Sequence, residues 1–85
     1  MAKDRLHEAL TTLHDELGAG ARVSEADRDL LRQVADDVDR VLEEEELGHR
    51  LKERAEELAT EFEAEHPKLA HVLGEIVEAL ARMGI

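Results

Sequence analysis

Pro67-Lys68-Leu69-Ala70-His71-Val72-Leu73-Gly74-Glu75-Ile76-Val77-Glu78-Ala79-Leu80-Ala81-Arg82-Met83-Gly84 is the stretch whose reading decides the fold. Leu69, Leu73, Ile76, Leu80 and Met83 recur at alternating spacings of four and three, which draws one seam along a helix. Val72 and Val77 widen it, while Lys68, His71, Glu75, Glu78 and Arg82 gather on a single polar strip. Pro67 suits a first helical turn and Gly84 a stop. A helix apolar over most of its girth is covered by several neighbours. Segment four is therefore expected to be the central, most buried helix, with Leu73, Ile76 and Leu80 in the core and Ile85 tucked back onto the last turn.

Working outward, segment three carries Leu51, Ala55, Leu58 and Phe62 on one face and ends before His66-Pro67. Phe62 joins the expected core. Segment two opens at Ser24 with Asp27 three residues on, an acidic variant of the capping box. Glu25 and Asp27 also suit the positive end of the helix dipole. The stripe of segment two is Leu31, Val34, Val38 and Val41, flanked by Leu30 and Leu42, and the run Glu43–Glu46 follows. Only Gly48 interrupts the joint to segment three, so a single long helix is one reading. Continuing the first stripe by sevens, however, lands on Glu45 and Lys52, and the second stripe resumes three residues late. A break between Glu43 and His49 is the expectation. Segment one has Leu6, Leu10, Leu13 and Leu17 in a narrow stripe, with Leu6-His7-Glu8-Ala9-Leu10 echoed by Leu13-His14-Asp15-Glu16-Leu17 seven residues on. Gly18-Ala19-Gly20-Ala21 ends it.

The chain of 85 residues has room for one domain, residues 1–85, read as an all-α bundle of about four amphipathic helices. Short connections favour antiparallel neighbours. Strand-forming aromatics are scarce: one Phe, no Tyr and no Trp. Twenty-two acidic against 11 basic residues give a formal charge of −11, which repels nucleic acid and anionic lipid. Without cysteine there is neither disulfide nor thiolate chemistry. No segment approaches the roughly 20 apolar residues of a membrane span, and a cytoplasmic protein is the default. A chain this short buries only roughly 60% of the surface its unfolded form exposes. The Leu6, Leu10, Leu13 and Leu17 stripe, as narrow as a coiled-coil seam, is accordingly expected to form a homodimer interface.

Lys3-Asp4-Arg5-Leu6-His7-Glu8 and Leu13-His14-Asp15-Glu16-Leu17 at one end resemble a small bacterial family, domain-of-unknown-function family 4404. So do Phe62-Glu63, His66-Pro67-Lys68-Leu69 and Ala79-Leu80-Ala81-Arg82-Met83-Gly84-Ile85 at the other. That family has no assigned activity. The resemblance bears on segment boundaries and brings no catalytic residue.

The most tempting chemistry is Glu-x-x-His, at Glu46–His49 and Glu63–His66, with a related Asp4–His7. Two such pairs plus two further Glu residues hold di-metal centres inside ferritin-like bundles. Here Glu63 lies one step off the Leu58–Phe62 stripe and Glu46 sits in a charged run, and chance pairs are expected in so acidic a chain. His7 and His14, beside the seam of segment one, have the spacing for a pH switch or metal clamp, since histidine titrates near neutrality. Covering the edge of an apolar face is the plainer reading. His66 before Pro67 reads as a helix start rather than a catalytic base, because no nucleophile accompanies it. Gly18 and Gly20 have neither the preceding strand nor the following Lys-Ser/Thr of a phosphate loop.

The function expected from the sequence is a non-enzymatic helical interaction or oligomerisation module. Its partner is another copy or another helical protein, with no cofactor, catalytic residue or metal ligand assigned. The alternatives are a small metal-binding helical protein using the Glu-x-x-His pairs, and an acidic decoy for a basic nucleic-acid-binding protein.

Overall fold

Each of the four apolar stripes needs a surface to bury against, and the chain supplies that surface from its own other helices. The computed structural model describes residues 2–18 and 23–85. Four helices follow in order: α1 (Ala2–Gly18), α2 (Glu25–Glu43), α3 (Gly48–Phe62) and α4 (Pro67–Arg82). Helix α1 runs through to Gly18, while Ala19–Ala21 of the expected stop lie outside the described residues.

Local chemistry accounts for the helix ends. Ser24, with extended backbone, caps α2: its hydroxyl accepts a hydrogen bond from the Asp27 amide at 3.1 Å. Arg28 reaches back across the loop, and its Nη1 donates to the Leu17 carbonyl at 3.0 Å, satisfying an orphan acceptor of the last turn of α1. The expected break between segments two and three is present. Helix α2 ends at Glu43, Glu44 is extended, and a single 3-10 turn, Glu45–Leu47, leads into α3. Four glutamates at the negative end of the α2 dipole disfavour continuation. His66 precedes α4, Pro67 occupies its first turn, and the His66 ring stands edge-on to Phe62 with centroids 5.7 Å apart.

The end of α4 is closed by a Schellman motif. Gly84 adopts φ 86°, its amide donates to the Ala81 carbonyl, and the Ile85 amide donates to the Leu80 carbonyl, each at 3.1 Å. Ile85 does tuck back, and it lands on α3. A Cβ placed on Gly48 would lie 2.5 Å from Ile85 Cδ1, so the bare α-carbon of Gly48 makes room for that side chain. Lys52 Nζ fastens the same corner by donating to the Ile85 carbonyl at 3.1 Å.

The helices form an up-down-up-down bundle. Helix α4 packs between α1 and α3, α2 closes the opposite side against the same two helices, and the diagonal pairs α1/α3 and α2/α4 make no close backbone approach. Antiparallel order follows from which residues meet. Gln33 on α2 bonds Arg54 on α3, Gly48 meets Ile85, and Arg5 and Glu8 share a cleft with Ala79 while Thr12 and Glu16 share one with Pro67 and Val72. The core holds only apolar residues, among them Phe62, Leu73, Ile76 and Leu80 as expected. Fully burying a side chain such as these contributes about 1.5–3 kcal/mol.

Two expectations need correction. Leu6, Leu10, Leu13 and Leu17 are 0%, 4%, 0% and 8% exposed within one chain, so the stripe assigned to a homodimer interface is part of the internal core. A narrow stripe is wide enough here because α1 sits at a bundle corner, wedged between α2 and α4. Helix α4 has the most buried residues of the four, as expected, yet two helices cover it rather than several. Leu69, Leu73, Ile76 and Leu80 of its seam are buried, while Met83, Ala70 and Val77 are only half-buried and Gly74 and Ala81 are exposed.

Candidate functional site

The residues singled out for chemistry do not converge. His7, His14 and His49 are exposed and separated, as are Glu46 and Glu63, and His66 is half-buried against Phe62. Among the described residues, no group of three or more His, Asp or Glu is placed to share an ion. His71 makes its contact within α4, Nε2 to Glu75 Oε1 at 2.9 Å, and Arg82 pairs with Glu78 at 3.0 Å. Both pairs stand in solvent, where such contacts contribute little.

A surface with shape lies between α3 and α4. Ala59 and Thr60 of α3, with Glu63 just past its end, line a shallow groove of about 540 Å³ together with Pro67, Ala70, His71, Gly74, Glu75 and Glu78 of α4. Its floor is made of small residues, Ala59, Ala70 and Gly74. Three carboxylates border it, Glu63 by the α3/α4 joint and Glu75 and Glu78 farther along α4, with no lysine or arginine in the lining. The sequence produces the floor by simple periodicity. Ala70, Gly74, Val77 and Ala81 repeat at spacings of four, three and four, one step round the helix from the buried seam.

Gly74 is the least expected member of this floor. Its backbone is ordinary helix, and a Cβ there would meet no atom within 4 Å. Glycine inside a helix costs about 1 kcal/mol relative to alanine. Neither a turn nor a close internal approach offsets that cost, in contrast to Gly84 and Gly48. The pattern that exposes this strip was present in the sequence, but Val77 beside the seam makes the two stripes read as one broad apolar face.

A second groove, between α2 and α3, is lined by Gln33, Asp36, Asp37, Arg40, Leu47, Arg50, Leu51 and Arg54. Leu47, at 37%, is the exposed large hydrophobic of the described residues. Charges of both signs line this groove, and Arg54 Nη1 is held by Gln33 Oε1 at 2.8 Å. It has no dominant sign to select a partner.

Such features define an acidic antiparallel four-helix bundle whose distinctive surface is a groove rather than a cluster of reactive groups. The chain belongs to a family described as a domain of unknown function (DUF4404), whose model matches residues 6–85. The match runs through the middle segments as well as the two ends that carry the resemblance. No curated protein and no solved structure matches the chain. No described helix is long and apolar enough to cross a membrane.

Proposed function

We propose that this protein is a non-catalytic helical interaction module that receives a partner on the α3/α4 face. The observation that carries this reading is the uncovered strip of α4, with Gly74 at its middle. A helix that buries one face in its own bundle and leaves a strip of small residues exposed or half-buried beside it has a surface left to cover. Self-association through the Leu6–Leu17 stripe is no longer part of the reading, since those side chains are enclosed.

Site-resolved photo-crosslinking in the source cell tests it. A reactive group at Thr60 or His71, both exposed in the groove lining, should give an adduct of one defined mass. The same group at Asp39, exposed on α2, should not. Adducts that are absent from all positions, or equally strong at Asp39, would remove the module reading.

A further inference from the structure

We infer that the α3/α4 groove is a docking site for a basic amphipathic helix of another protein. The inference rests on the module reading above and adds the chemistry of the partner. Three features select a helix. The groove extends along about three turns of α4, from Pro67 to Glu78, so its length matches a helical element of a few turns. Backbone groups of α3 and α4 are engaged in their own helices and offer no edge to an extended peptide. The floor of Ala59, Ala70 and Gly74 has no deep pocket for a single anchor side chain, but it lets a third helix settle close.

Gly74 points the same way. Its missing Cβ serves no contact inside the chain, and it lies where an incoming helix would come nearest. Charge then decides which helix. Glu63 borders the groove by the α3/α4 joint and Glu75 and Glu78 border it farther along α4, and the lining has no Lys or Arg to oppose them. The pairs that Glu75 and Glu78 make with His71 and Arg82 are exposed and easily exchanged. A ligand helix with an apolar ridge of small and medium residues, flanked by Lys or Arg, complements floor and carboxylates together. A second copy of this chain does not, because its net charge is −11 and its own α3/α4 face would set carboxylates against carboxylates.

The test uses a labelled synthetic helix with an Ala/Leu ridge flanked by Lys, titrated against the whole chain by fluorescence anisotropy at low salt. A peptide with the same ridge and Glu in place of Lys is run beside it. The Lys peptide should bind and the Glu peptide should not. Gly74→Leu fills the floor where nothing lies within 4 Å, and should weaken binding at least tenfold while the helical circular dichroism is kept. Gly74→Ala should melt higher than the parent yet bind more weakly, a combination that a misfolded variant cannot produce. The double variant Glu63→Lys/Glu75→Lys should also lose at least tenfold. Asp39→Lys/Glu57→Lys, with the same change in net charge at exposed sites away from the groove lining, should change affinity by less than about threefold.

Equal loss in both charge variants would mean that the peptide responds to net charge alone and would overturn the proposal. Binding of the Glu peptide, or a dimer of the free chain abolished by Gly74→Leu, would overturn it as well. Failure of every peptide while crosslinks still form at Thr60 and His71 would refute the basic helix and leave the module reading standing.

Discussion

Gly48 and Gly74 show how one residue type carries opposite meanings at two places on one bundle. At Gly48 the backbone is bare because Ile85 needs the space, with its Cδ1 and Cγ2 2.5 and 2.8 Å from where a Cβ would stand. Gly48→Ala should therefore displace Ile85, strain the Lys52 contact and cost roughly 1 kcal/mol in a urea melt. In an Ile85→Ala background the same change should be neutral or stabilising, and additive losses would disprove the contact. The histidines divide in a similar way. His66→Ala gives up an edge-on contact with Phe62 and should cost about 0.5–1 kcal/mol, whereas exposed His49→Ala should leave the melt unchanged. Neither should alter metal content, which is expected to be well below one ion per chain. Elemental analysis finding one equivalent, lost in the double variant, would restore the Glu-x-x-His reading.

At the scale of the helix, stripe width proves a poor guide to what a stripe faces. The wide face of α4 suggested a central helix covered by several neighbours, and the narrow leucines of α1 suggested a seam between chains. In the bundle α4 is enclosed on two sides and bare on a third, while the α1 leucines fill the interior. Leu73→Ala should cost roughly 2–5 kcal/mol, the range for a truncation that leaves a cavity in a close-packed core. Leu13→Ala should cost a similar amount, since both side chains are fully enclosed. The melting temperature of the parent should not depend on protein concentration. A rise with concentration that Leu13→Ala abolishes would show that the α1 stripe joins two chains after all.

For the molecule as a whole, charge sets the association behaviour. The chain carries −11, and its one seam narrow enough for a coiled coil is used internally. Sedimentation at low salt should show a single monomeric species across a concentration series, because like-charged copies repel within about a Debye length. The absence of Trp and Tyr means that peptide-bond absorbance or refractive index must report it. A dimer at low salt would contradict this balance. A small corner formed by Gly84, Ile85, Gly48 and Lys52 also ties the end of α4 to the start of α3.

Periodicity and local chemistry were sufficient to determine four helices, their caps at Ser24 and Gly84, the break after Glu43 and the apolar residues of the core. Each depends on neighbours within a turn or two, where spacing and side-chain type act directly. Which apolar strip is covered, and by what, was decided only by tertiary structure. A stripe records that burial is favourable but not which surface provides it, so Leu6–Leu17 could equally have met a second chain. The groove became visible only once α3 and α4 were set side by side. Its small residues and its carboxylates come from segments that meet only through the packing of the bundle, and no spacing along the chain states that Ala59 and Glu63 line one groove with Ala70, Gly74 and Glu78.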